Sequence, residues 1–279
     1  MGAVCRFVVA ALLLAASGAA ADDGRPDRIV SLNMCTDELL LRLVPRERIA
    51  SVTWLAQDPR AANMSEEAGQ VAANYGLAEE VLTQHPDLVV AGRYTTRTTV
   101  SLLRRAGVKV VDFDVPSDLA AALAQIRAFA ALVGEPERGA WLAGDMEKRL
   151  AAIPAPGPGP LPRALVLRPN GFTAGRGSLV DDILTRAGLD NLAAGLDLGS
   201  YAQVPLETVV LEAADILVVD GDRDGPPSLA TAILEHPVLA KLRRRVAAIS
   251  VPSRLWTCAG PSVVEAIERL RAALRAGTP

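Results

Sequence analysis

Apolar residues recur in two rhythms along this chain. Short runs bounded by turn residues read as buried strands: Arg28–Leu32, Ile49–Thr53, Leu88–Ala91, Lys109–Phe113, Ala164–Leu167, Ile216–Val219 and Val246–Val251. Between them, apolar positions at helical spacing predict helices over Asp37–Leu43, Glu79–Gln84, Thr98–Ala106, Leu179–Ala187, Pro205–Glu212, Leu229–Leu234, Val238–Leu242 and Pro261–Ala276. Thr36 or Asp37 serves as the first cap, Pro45 ends that helix, and Gly107 and Gly188 stop two of the others. Trp54–Asn74 shows neither rhythm and reads as irregular. Strands alternating with helices at this spacing form a parallel sheet through right-handed crossovers.

The middle of the chain departs from this alternation. Leu119–Leu132 and Pro136–Ile153 carry helical periodicity without any strand signal, and the Pro/Gly-rich stretch Pro154–Pro162 reads as a stiff connector. The expected fold class is therefore α/β, with two Rossmann-like lobes of mostly parallel sheet joined by a long helical connector and a ligand cleft between them. The corresponding boundaries are 22–116 for the first lobe, 117–153 for the connector, 154–162 for the linker and 163–279 for the second lobe, each lobe with its own core.

A repeat supports two similar halves. Glu79-Glu80-Val81-Leu82-Thr83-Gln84-His85-Pro86-Asp87-Leu88-Val89-Val90 is echoed by Glu207-Thr208-Val209-Val210-Leu211-Glu212-Ala213-Ala214-Asp215-Ile216-Leu217-Val218-Val219. In both, a glutamate opens a short helix, and an aspartate introduces a buried strand. Two similar halves commonly enclose a cleft.

The N-terminus has the make-up of an export signal: Arg6, the apolar run Phe7–Ala16, and Ala19-Ala20-Ala21 as a cleavage site before Asp22. The run is shorter than the ~20 residues of a spanning helix, and Cys5 precedes it, the wrong place for a lipidated cysteine. The expected signal is residues 1–21, and the mature chain is expected to be periplasmic and monomeric. The formal charge of the chain is −3, and Arg243-Arg244-Arg245 is its longest basic block, so nucleic acid is not an expected partner. After processing, Cys35 and Cys258 remain. A disulfide, two buried thiols and a thiolate ligand all stay open at this point.

The order of several motifs resembles the class III periplasmic substrate-binding proteins of ABC importers, which carry cobalamin, ferric siderophores and haem. Its carriers are Arg28-Ile29-Val30-Ser31-Leu32, Pro86-Asp87-Leu88-Val89-Val90, Leu103-Arg104-Arg105-Ala106-Gly107-Val108-Lys109-Val110, the helical connector, and Phe172-Thr173-Ala174-Gly175. The resemblance covers essentially the whole mature chain. It implies capture of a small-molecule metal chelate or corrinoid, delivery to an importer's permease dimer, no catalysis, and no resident cofactor beyond iron or cobalt inside the ligand. It also implies that Glu79 and Glu207, at matching positions in the repeat, meet arginines of the permease. A carboxylate in the first turn of a helix is favoured by the exposed N–H groups there, and two on one face would fix orientation.

Ligands of open α/β sheets bind beyond the carboxyl ends of the strands. That rule selects Trp54, Tyr75, Arg93, Tyr94, Phe172, Arg176, Tyr201, Arg254 and Trp256 as ligand-binding candidates, and it places Cys35, Cys258 and the Asp220-Gly221 loop at the cleft. Six of the chain's three Trp, three Tyr and four Phe fall in these loops, as suits a large, flat or partly apolar ligand. Arginines there would grip carboxylates or a phosphate. Arg176 stands between Gly175 and Gly177, which permit close approach to a ligand.

Other classes find less support. The two histidines, His85 and His236, each precede a proline and read as turn residues, so a bare metal site is not expected. A periplasmic hydrolase lacks a G-x-S-x-G elbow or a nucleophile with a nearby base. A carrier that never meets a permease stays open. It differs from an importer component in not needing Glu79 and Glu207.

Overall fold

The computed structural model describes residues 24–212, 214–220, 229–242 and 245–277. The expected signal 1–21, Gly221 of the last cleft loop, and Arg243 and Arg244 lie outside the described residues. Five strands, β1 (Ile29–Ser31), β2 (Ile49–Thr53), β3 (Ala73–Asn74), β4 (Leu88–Gly92) and β5 (Val110–Phe113), form one sheet in the order β3-β2-β1-β4-β5 with every pair parallel. Helices α1 (Met34–Leu43), α2 (Ser65–Ala68), α3 (Ala78–Leu82) and α4 (Arg97–Arg105) connect them. Two long helices follow, α5 (Leu119–Leu132) and α6 (Pro136–Ala152).

The second half contains β6 (Arg163–Leu167), β7 (Phe172–Ala174), α7 (Leu179–Ala187), β8 (Asp190–Asn191), β9 (Tyr201–Gln203), α8 (Leu206–Leu211), β10 (Ile216–Asp220), α9 (Pro237–Leu242), β11 (Ala247–Val251) and α10 (Ser262–Arg275). Its parallel sheet has the order β11-β10-β6-β8, and β7 pairs with β9 as an antiparallel ribbon. Among the described residues, no helix is long and apolar enough to cross a membrane.

The alternation of side chains along the strands sorts the core into three layers. Leu88 and Val90 of β4 face a central cluster, whereas Val89 and Ala91 pack with Ala78 and Val81 of α3 and Val100 and Leu103 of α4. In β10, Ile216 and Val218 face the same central cluster, while Leu217 and Val219 pack with Val209 of α8 and Leu239 of α9. The central cluster joins both sheets through Leu40 of α1, Phe129 of α5, Met146 of α6, Ile183 of α7 and Ile267 of α10, all fully buried. The expectation of a separate core for each lobe is thus corrected. Each sheet has its own outer layer, but the inner layer is shared. At ~1.5–3 kcal/mol for each large apolar side chain buried, separating the sheets by a wide hinge would expose a costly surface.

Local differences from the sequence reading have simple causes. Helix α1 starts at Met34 because Asn33, in extended conformation, accepts the Cys35 N–H on its side chain and acts as the cap. Asp37, expected as a cap, lies inside the helix and is fully buried. Strands β3, β7, β8 and β9 are two or three residues long, too short to show any period. The helix expected over Leu229–Leu234 is a 3₁₀ turn over Ala232–Glu235.

The two aspartates of the repeat have the same structural task. Asp87 accepts the N–H groups of Asp27 and Arg28 at the start of β1, and its own N–H donates to Arg28 O. Asp215 accepts the Arg163 N–H at the start of β6, and its N–H donates to Arg163 O. Each fixes the first strand of its sheet against the neighbour.

Candidate functional site

In the first sheet the strand order reverses between β1 and β4, and this switch point is where an open α/β sheet leaves a crevice at its carboxyl end. Asn33 follows β1 there, and Gly92-Arg93-Tyr94 close β4. A Cβ on Gly92 would stand 2.7 Å from the Asn33 side chain, so glycine is what lets Asn33 cap α1 at this spot. Around the crevice lies a solvent-open cavity of about 80 Å³, below the ~300–1,000 Å³ usual for small-molecule sites, so a bulky ligand would extend beyond its mouth. The first half contributes Asn33, Thr36, Arg93 and Tyr94, and the second contributes Leu179, Tyr201, Thr257 and Ala259.

Helix α5 also reaches the cavity. Gln125 donates to the Asp114 carbonyl at 2.7 Å and lines the wall beside it. Asp114 in turn pairs with Arg93. The Val115 N–H and the Arg93 guanidinium hold the Asp114 carboxyl below the usual carboxylate range. Tyr94 is 78% exposed at the cavity mouth. Opposite, the Tyr201 phenol is pushed above its ordinary value, chiefly by burial. The Arg168 cation and the Leu179 N–H oppose that shift, and nearby Tyr94 adds to it. A neutral hydroxyl is thus presented to the cavity at neutral pH.

Beneath the cavity the two halves are clasped. Cys35, in the first turn of α1, is joined to Cys258, just before α10, by a disulfide with a Cα–Cα distance of 5.0 Å. Alongside, the Asn63 amide donates to Arg254 O at 2.7 Å and to Ser262 Oγ at 3.1 Å, and the Arg254 guanidinium donates back to Asn63 Oδ1 at 3.2 Å. Glu38, buried and paired with Arg42 at 2.9 Å, lies so close to Gly260 that a Cβ there would be 2.7 Å from its carboxylate. The second half therefore seats directly on α1.

The nine ligand-binding candidates are not all brought together. Arg93, Tyr94 and Tyr201 line the cavity, as does Cys35. Trp256 does not: it is 2% exposed, belongs to the shared core, and stacks under the Arg168 guanidinium at 5.5 Å. It follows a strand as Tyr94 does, but its turn points inward. Arg254 is likewise committed to the clasp with Asn63. Trp54 and Tyr75 stack on each other at 6.3 Å, beyond β2 and edge strand β3, one and two strand spacings (~5 Å each) from β1. Phe172 lies two pairs farther along the β7–β9 ribbon from Tyr201. Arg176 is exposed and makes no ion pair among the described residues.

Sequence reasoning missed Gln125, although it and Arg127 are the two polar residues of an otherwise apolar α5. That break in an apolar helix was the available signal. His85 occupies a left-handed turn between α3 and β4, and His236 Nδ1 accepts the Val238 N–H at the start of α9. Among the described residues, no three His, Cys, Asp or Glu side chains converge as a metal site.

Asp37 lies behind the crevice and accepts the Thr53 N–H at 3.2 Å and the Thr53 hydroxyl. Burial pushes its carboxyl up from 3.8 to about 7, against hydrogen bonds from Ser31 and Thr53. The unfolded chain releases this proton near pH 4 and the folded chain only near 7, so this group costs stability progressively over that window and fully above it. Asp37→Asn is expected to stabilise the fold by roughly 2–4 kcal/mol at pH 8 and by little at pH 4. Chemical denaturation at the two pH values measures this, and an equal effect at both would contradict it.

Known proteins place this arrangement in context. Residues 29–244 match the family described as periplasmic binding protein. A cobalamin-binding protein of Halobacterium salinarum is 27% identical over 217 residues, covering 76% of this chain, and the chain spans 58% of that relative's length. Among solved structures, the periplasmic heme-binding protein RhuT from Roseiflexus sp. RS-1 superposes with a TM-score of 0.70 at 26% identity, covering 88% of this chain and 98% of its own. The periplasmic vitamin B12 binding protein BtuF of Vibrio cholerae gives 0.66 at 19% identity over 90% and 97% of the two chains, a likeness of fold. These relatives are binding proteins. With two parallel sheets on a shared core, a cavity at the switch point and a match over most of its length, the chain belongs to the periplasmic binding protein family.

Proposed function

We propose that the protein captures a metal chelate or corrinoid, cobalamin or a ferric siderophore, and delivers it to an ABC importer after export with removal of residues 1–21. The observation that carries this reading is the cavity in which Tyr94 and Tyr201, from opposite halves, border one solvent-open space at the strand ends. Aromatic rims with few charges suit a bulky, partly apolar cargo. The cobalamin-binding relative supports a corrinoid. The shared core and the clasp favour a small closing motion, so release would need the importer to strain the halves apart. Permease contact is assigned to Glu79 and Glu207, exposed in the first turns of α3 and α8.

Haem is the second reading. Two phenols that line the same cavity from opposite halves offer oxygen ligands to ferric iron, and the Roseiflexus neighbour is named a heme-binding protein. Equilibrium dialysis against cyanocobalamin, a ferric hydroxamate, a ferric catecholate and haemin separates the two. Retention of a corrinoid or ferric chelate with a Kd of about 1 µM or tighter is expected. Retention of haemin alone moves the assignment to haem, and retention of none of the four defeats the proposal.

A further inference from the structure

A second, larger groove adjoins the cavity. Its volume is about 570 Å³, and it runs from Gly92 and Arg93, which it shares with the cavity, along α4 to the edge strand β5. Four arginines line it: Arg93, Arg97, Arg104 and Arg105. Arg97, Ser101, Arg104 and Arg105 recur at intervals of four, three and one, so they stack along one side of the helix. Val100 and Leu103, between them, are buried against the sheet.

The charges do not cancel. Asp112 is the acidic residue lining the groove and is taken by Arg104 at 2.6 Å, and Asp114 is taken by Arg93 at the cavity end. Arg97 and Arg105 make no ion pair among the described residues. The first turn of α4 adds N–H groups that no side chain caps, beside Arg97. On a chain whose formal charge is −3, a groove with this excess of guanidinium groups is a local inversion of sign.

We propose that this groove is an oxyanion subsite that takes the pendant carboxylate or phosphate of a cargo whose body lies across the mouth of the adjoining cavity. This rests on the cargo reading above. Guanidinium groups hold carboxylates and phosphates through paired N–H donors, and Arg93 at the junction lets one ligand span both spaces. Arg97 and Arg105 are the contributors that can turn to a ligand without breaking an existing pair.

The test compares wild type with the Arg97→Gln/Arg105→Gln variant, using two probe pairs that differ in anionic charge: cyanocobalamin against dicyanocobinamide, which lacks the phosphodiester, and haemin against its dimethyl ester. Inorganic pyrophosphate serves as a third, cargo-independent probe by calorimetry. Both side chains are exposed, and a thermal melt verifies that the variant folds. The expected result is a loss of at least tenfold in affinity for the anionic member of whichever pair binds, no more than twofold for its neutral partner, and loss of salt-sensitive pyrophosphate binding. An equal change for both members, or no change, overturns the proposal. If neither pair binds wild type, corrinoid and haem are excluded as cargo and a ferric siderophore is left. Pyrophosphate then decides for the groove alone: binding that the variant loses supports an oxyanion site, and no binding to wild type overturns it.

Discussion

Replacing Glu79 and Glu207 together by arginine is expected to cut import more than a hundredfold while leaving cargo affinity in solution within about twofold. The expectation rests on how the repeat divides its labour. Asp87 and Asp215 are accounted for by the fold, since each fastens the first strand of its sheet through backbone N–H groups. The glutamates are not so accounted for. Both are exposed in the first turn of a short helix, and among the described residues neither forms an ion pair. A residue type that recurs at the same place in both halves, without a structural partner in either, fits a surface made to meet a two-fold partner. Juxtaposing like charges across such an interface costs several kcal/mol, and about 3 kcal/mol over the two sites already exceeds a hundredfold. Import in cells carrying the cognate transporter, measured beside solution binding, gives both readouts, with single reversals expected to fall between. Undiminished import by the double variant would favour a carrier that never meets a permease, and parallel loss of cargo binding would place the glutamates in the fold.

What could be read from the sequence depended on the range over which each signal is set. β4 and β10 were legible because a strand buried on both faces is an unbroken apolar run, and α5 and α6 because fourteen and seventeen residues display helical period many times over. β3 and β8, at two residues each, have no period to display. Tyr94 and Trp256 carried the same local signal, an aromatic shortly after a strand, yet one stands at the cavity mouth and the other is sealed under Arg168. Only packing between distant segments distinguishes them. Asp37 illustrates the same limit. A polar residue near a helix start reads as a cap, but Asn33 took that role, and Asp37 turned inward to Thr53 at the end of β2. The shared core was hidden for a related reason: period shows that a helix has an apolar face, not which sheet that face covers.

Removing the disulfide is the second large effect. Cys35→Ser/Cys258→Ser is expected to lower the melting temperature by about 4–16 °C, corresponding to ~2–4 kcal/mol for a bond of this kind at ~2–4 °C per kcal/mol in a chain of this size. The two cysteines are 223 residues apart, so the bond closes nearly the whole chain into one loop, and loop-closure entropy in the unfolded state grows with that length. The native state gives a reason for the effect to stay within that range. The inner core and the Asn63–Arg254 clasp already hold α1 against the segment before α10, so the halves remain docked without the covalent tie. Cargo should accordingly still bind the double variant, with faster dissociation, because the bond that ties the two halves borders the cavity. Cys35→Ser alone should melt close to the double variant, since either loss breaks the same bond. Reductant should move wild type toward both and leave them unmoved. Alkylation of two thiols in wild type before any reductant is added would show that the tie does not form, and an unchanged melt in the double variant would show that the core alone sets the stability.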